Sequence, residues 1–97
     1  MIHKQESPLP GHVRVIFELP SSIWADRISL TGEFNDWNEC ETPMLQGRDG
    51  FWRATLDLPA NNDYAFRYMI DGNWQTDNRA DGFAQSVKGY HSSVVQT

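Results

Sequence analysis

The sequence predicts an all-β fold, an antiparallel β-sandwich of immunoglobulin type, on three observations. Apolar and polar residues alternate in several short runs, no stretch carries the 3.6-residue period of an amphipathic helix, and turn residues bound each run. A chain of 97 residues suits one such domain, whose core needs no disulfide staples.

The elements follow in order. In "HVRVIFELP", Val13, Val15, Phe17 and Leu19 share one face and Arg14 and Glu18 the other, with Ile16 breaking the pattern. "RISLTG" sets Ile28 and Leu30 against Arg27 and Ser29. "FWRATLDLP" sets Trp52, Ala54, Leu56 and Leu58 against Arg53, Thr55 and Asp57. "YAFRYMI" follows with Phe66, Tyr68 and Ile70 inward, and "HSSVVQT" closes the chain with a β-branched pair. Leu19-Pro20-Ser21, Gly47-Arg48-Asp49-Gly50, Pro59-Ala60-Asn61-Asn62 and Asp71-Gly72 separate the runs. Residues 1–9, with Pro8 and Pro10 nearby, read as a flexible N-terminal tail, which leaves 10–97 as a single sandwich domain.

Composition narrows the partners. The net charge is -5 and the sequence has no basic run, so the positive stripe that neutralises phosphates is missing. Nucleic acid is excluded on that ground, and an anionic membrane surface is disfavoured by the same deficit. A neutral ligand has no such requirement. Cys40 is the one cysteine, so an intramolecular disulfide and a cysteine zinc site are both excluded. "MIHKQESPLPG" lacks the apolar core of a signal peptide and no run is long enough to cross a bilayer, which gives a cytoplasmic expectation.

Catalytic and metal chemistry find little support. His3, His12 and His91 have no ligand spacing. "TDNRADG", residues 76–82, echoes a calcium loop, but Arg79 stands where an oxygen ligand belongs and the terminal glutamate is missing. Glu33, Asp36, Glu39 and Glu41 read as a solvated acidic loop, since glycoside hydrolysis needs a carboxylate pair at a defined separation in a cleft. The expectation is a protein that is not an enzyme, with no cofactor and no metal.

The four tryptophans carry the functional reading. Trp52 is in phase with Ala54 and Leu56 and belongs to the core. Trp24, just ahead of a strand, is expected to cover one end of the sandwich. Trp37 ends "GEFNDW", where Phe34 anchors inward and Asn35-Asp36 turn, which leaves Trp37 on a loop leaving a sheet. Trp74 depends on the register of its hairpin. With Asp71-Gly72 as a two-residue loop, Met69 pairs with Trp74 and the indole faces outward beside Arg67. With a three-residue loop, Asp71-Gly72-Asn73, Ile70 pairs with Trp74 and the ring is core.

Two exposed indoles near each other suit a sugar. A flat ring covers the apolar C–H face of a pyranose, and Arg67 with nearby hydroxyls or amides reaches the hydroxyl belt, a bond to a charged donor contributing ~1.5–3 kcal/mol. Two rings set at an angle suit a curved glucan better than a flat one.

"RISLTGEFNDWN", "TPM", "GFWRATLDLP", "YAFRYMIDGNWQTD" and the terminal "SSVV" closely resemble carbohydrate-binding module family 48, from about residue 12 to the end. That family includes the N-terminal domain of isoamylase-type enzymes and the glycogen-binding domain of the AMP-activated protein kinase β subunit. The resemblance implies an immunoglobulin-like, early-set sandwich that binds α-1,4-linked glucan on an exposed face without catalysis. It matches the two platform tryptophans of the family to Trp37 and Trp74, and puts Arg67 where the family has a hydrogen-bonding lysine. Arginine keeps the charge but changes the donor geometry. Departures cluster in "KGYHSS", where Lys88 stands at an apolar wedge position, Tyr90 at a threonine and Ser92 at an asparagine. The expected site is therefore Trp37, Arg67, Trp74, Lys88, Tyr90 and Ser92, and the expected partners are an α-glucan and a glycogen-metabolising enzyme. An exposed Trp–Arg pair is also the chemistry of a protein hot spot. The alternative is an immunoglobulin-like interaction or homodimerisation module that has lost its sugar.

Overall fold

The computed structural model describes residues 1–77, 79–85 and 91–97. Among them the strands are β1 (Ile2–Glu6), β2 (His12–Leu19), β3 (Ile28–Gly32), β4 (Leu45–Gln46), β5 (Trp52–Pro59), β6 (Asp63–Ile70), β7 (Asn73–Gln75), β8 (Gly82–Gln85) and β9 (His91–Gln96). A single 3-10 turn, Glu33–Asn35, is the helical element within these residues. One sheet runs β1-β2-β5-β4 and the other β3-β6-β9-β8, with β7 paired to β6. The strand pairs are antiparallel, so the fold is the all-β, immunoglobulin-like sandwich that alternation predicts.

The inward faces are those the pattern assigns. Val15 and Phe17 of β2 meet Phe66 and Tyr68 of β6 across the two sheets, all fully buried. Phe17 and Phe66 lie 5.0 Å apart at 71°, and Phe66 and Tyr68 lie 5.7 Å apart at 81°, so their ring edges meet ring faces. Trp52 is buried among Leu19, Leu30 and Met44, and Phe34 packs inward at 5.8 Å from Phe17. Gly32 closes β3 where space is tightest, because a Cβ there would stand 2.6 Å from the carbonyl oxygen of Ala65.

Two sequence expectations are corrected. Residues 1–9, expected as a flexible tail, include β1, which pairs Ile2 to Phe17 and Glu6 to Val13. The prolines that look like tail punctuation sit in the hairpin loop instead. Gly11 has φ 73°, the His12 N–H donates to the Leu9 carbonyl, and Ser7 donates to Asp57 across the sheet. Lys4 pairs with Asp81 at 2.6 Å. Trp24, expected to cover one end of the sandwich, is 92% exposed. Its neighbours Ile23 and Ala25 take the inward positions against the core, and Trp52 Nε1 donates to the Ile23 carbonyl. Alternation around those two residues turns Trp24 to solvent.

The edge of β6 away from β3 is divided between two partners. β9 pairs with Asp63–Phe66 and β7 with Tyr68–Ile70, so Arg67 stands at the seam between them. Asp77 closes the seam from within, almost fully buried. Its Oδ2 accepts from the Tyr68 hydroxyl at 2.8 Å and from the Met1 ammonium at 2.7 Å. Its Oδ1 accepts from the Arg79 N–H, and its own N–H donates to Ser93 Oγ.

Burial opposes the Asp77 charge, but the donors from Met1, Arg79 and Tyr68 outweigh it and hold the carboxyl below its ordinary value of 3.8. Burial and the adjacent Asp77 charge in turn push the Tyr68 hydroxyl up, so it stays a donor. A lowered folded-state value stabilises fully above the ordinary carboxylate range and is lost as pH falls through the folded one. Asp57 and Asp49 are lowered chiefly by side-chain bonds from Arg14 and Arg53, with the same sign. The urea midpoint is therefore expected to hold steady from neutral pH down to about 5 and to fall below about 4. Asp77→Asn should cost about 1–3 kcal/mol at neutral pH and flatten the acid limb. Equal acid slopes in the two proteins would contradict this role for Asp77.

Candidate functional site

The outer face of the second sheet gathers three of the residues singled out from sequence. On β6, Arg67 lies opposite Thr31 of β3, and Met69 lies opposite both Ser29 of β3 and Trp74 of β7. The hairpin has taken the two-residue loop: Asp71 has φ 48° and Gly72 φ 85°, the pair of left-handed residues that a type I′ turn requires. Ile70 therefore pairs with Asn73, and Trp74 faces outward, 42% exposed. The turn is pinned from outside as well. The Asp71 carboxylate accepts from the Asp26 and Arg27 N–H groups at 2.9–3.2 Å, and the Asp71 N–H donates to the Arg27 carbonyl.

Trp37 reaches the same face by a less regular route. After the 3-10 turn, Asp36 and Trp37 both take left-handed backbone, φ 53° and 58°. For an aspartate this is tolerable, but for an indole it is a strained choice of about 1–3 kcal/mol. Asn35 makes it hold. Its Oδ1 accepts from the Gly32 N–H, and its Nδ2 donates to the Leu30 carbonyl at 3.0 Å and to Thr42 Oγ1 at 3.1 Å. The Trp37 N–H donates to the Gly32 carbonyl, and Asn38 Oδ1 accepts from the Cys40 and Glu41 N–H groups. Asn35, with the Leu30 N–H donating to the Thr42 carbonyl, thus ties this loop to β3, whose residues are all buried, while Asn38 closes the loop internally.

Arg67 joins the two indoles. Its guanidinium carbon lies 4.3 Å from the Trp74 ring centroid and 5.2 Å from that of Trp37, both within cation–π range. The planar cation braces the rings while Trp74 keeps much of its surface in water. A lysine ammonium would offer a point charge in place of that stacking plane.

The remaining predicted residues are placed less fully. Ser92, opposite Ala84 of β8, alternates with the inward Ser93 and so shares the outer side with Arg67, but it is buried. Lys88 and Tyr90 lie outside the described residues. Among the described residues no group of three acidic, histidine or cysteine side chains could hold a metal ion. No helix there is long and apolar enough to cross a membrane. Sequence reasoning missed the clamping roles of Asn35 and Asp71, although "FND" and "DG" flagged both as turn residues.

Comparison with known proteins bears directly on this face. The family model for carbohydrate-binding module 48 (isoamylase N-terminal domain) matches residues 12–84. The chain belongs to carbohydrate-binding module family 48. It is similar to the 1,4-alpha-glucan branching enzyme GlgB of Mycobacterium tuberculosis (strain CDC 1551 / Oshkosh), 39% identical over 75 residues, which cover 72% of this chain and 10% of that enzyme. It is also similar to GlgB of Aquifex aeolicus (strain VF5), 32% identical over 68 residues, 65% of this chain and 11% of that enzyme. The chain spans about a tenth of the length of these relatives.

In this family 48 module the Asn35 clamp precedes everything that Trp37 can do. Asn35→Ala leaves the Gly32 N–H and the Leu30 carbonyl without that amide, at about 1–3 kcal/mol for each buried group left unpaired. The expected result is a total loss of roughly 3 kcal/mol by urea denaturation. A changed near-UV circular dichroism signal should accompany it as the Trp37 ring leaves Arg67. A destabilised variant with an unchanged aromatic signal would show that other contacts set the indole.

Proposed function

We propose that the face formed by Trp37, Arg67 and Trp74 binds α-1,4-linked glucan of the glycogen or starch type, without catalysis. The observation that carries the reading is the guanidinium stacked within 4.3 and 5.2 Å of two indoles on one open sheet face. Stacked sugar rings would lie on the indoles through their C–H faces, while the Arg67 N–H groups and neighbouring polar side chains meet the hydroxyls. Lys88, Tyr90 and Ser92 are proposed as further polar contacts to the sugar. A net charge of -5 is compatible with a neutral polymer and unfavourable to a phosphate-rich one.

An open platform built on few side chains excludes little water, so binding is expected in roughly the micromolar to millimolar range. Such a module would hold itself, or a glycogen-metabolising enzyme, on storage polysaccharide. The names of the branching-enzyme relatives support this choice of polymer.

Calorimetric titration with maltoheptaose tests the reading. The wild type should saturate, Trp74→Ala should bind at least roughly tenfold more weakly, as expected when a principal stacking ring is removed, and Thr55→Ala on the opposite sheet should bind like wild type. Absence of heat at millimolar sugar in the folded wild type would overturn it. So would equal affinity in Trp74→Ala, and a homodimer broken by that same substitution would make the face a protein interface.

A further inference from the structure

Trp24 lies outside the packed core. At 92% exposure its indole stands in water, while Ile23 and Ala25 on either side pack against the core. It lines an open cleft of about 540 Å³ with Ser21, Asp26, Gln46 and Asp71. A second cleft, of about 490 Å³, includes Ser29 and Met69 and shares both Asp26 and Asp71 with the first. Met69 is the residue that faces Trp74 across β6 and β7. The two clefts thus join at Asp26 and Asp71 into one track, which runs from Met69, the cross-strand neighbour of Trp74, past the Asp71 turn to Trp24, where Gln46 of the other sheet completes the lining.

The track is held at its middle. The Asp71 carboxylate that pins the turn before Trp74 holds the Asp26 N–H at 3.0 Å, two residues from Trp24. Chain lengths on either side of that bond put the Trp24 and Trp74 backbones within roughly 20–25 Å of each other. Side chains lining the first cleft supply hydroxyl, amide and carboxylate groups beside an apolar plane. Those are the groups that meet a polyhydroxylated ring, and the paired aspartates disfavour a polyanion.

We propose that Trp24 is the stacking plane of a second sugar subsite, and that one α-glucan chain long enough to follow the track engages both ends. This rests on the glucan reading of the Trp37–Arg67–Trp74 face and adds to it a dependence on chain length. Binding at the second end is intramolecular once the first is filled, so a weak contact gives a disproportionate gain for long chains.

Affinities of the wild type, Trp24→Ala, Trp24→Tyr and Trp74→Ala for maltotriose, maltoheptaose and glycogen test it. Trp24 is solvated, so its replacement leaves the fold intact. Trp24→Ala should bind maltotriose within about twofold of wild type but glycogen roughly tenfold more weakly, with Trp24→Tyr restoring most of the loss. Trp74→Ala should weaken all three sugars. If Trp24→Ala matches wild type on glycogen while Trp74→Ala fails, the second subsite is refuted and the first stands. If the wild type binds none of the sugars, the first reading fails and takes the second with it.

Discussion

One cation between two indoles organises the functional face. Arg67 can reach both rings because it sits at the seam of β6, where pairing to β9 has ended and pairing to β7 has begun. At the seam, the side chain can rise between a loop tryptophan and a hairpin tryptophan and hold them together. Trp74 is turned outward by its strand register, whereas Trp37 has no strand to fix it.

Three short polar side chains make the seam possible, each by replacing backbone pairing that the fold gives up. Asn35 substitutes for ladder bonds where the chain leaves β3, and so fixes the left-handed pair that carries Trp37. Asp71 ties the β6–β7 turn to residues 26 and 27, so that a three-residue strand keeps its register. Asp77 fills the gap between β7 and β9 with bonds to Tyr68, Ser93 and Arg79. Both Asp77 carboxylate oxygens are matched by donors, which is what lets that charge sit inside a small aromatic core. Rigidity beneath the platform is useful to a weak binder, since ordering loops on association would consume much of the affinity.

Alternation made the sandwich legible, because both inner faces are filled by residues spaced two apart, from Val15 and Phe17 to Phe66 and Tyr68. The outward Trp74 is legible in part: Asp-Gly favours a two-residue turn, yet the sequence also admits a three-residue loop, and the register decides between them. Trp37 was harder. Its direction depends on positive φ at two non-glycine residues and on bonds from Asn35 to β3 and to Thr42 that the apolar pattern does not reveal. β1 was hidden because an edge strand with four exposed polar residues has no inward stripe to betray it. Trp24 differs from expectation because its place just ahead of β3 suggests an end cover, whereas the smaller Ile23 and Ala25 take the inward places. Membership in family 48 came from motif order and spacing, and the exposed Trp24 belongs to none of the quoted motifs that carried it.

The most direct test of the account follows the four indole N–H signals by nitrogen-15 NMR as maltoheptaose is added. The account predicts that Trp37 and Trp74 shift along one saturation curve while buried Trp52 stays in place, since the two platform rings are braced by the same guanidinium. Separate curves for Trp37 and Trp74, or stationary signals from both while sugar binds, would contradict a shared platform.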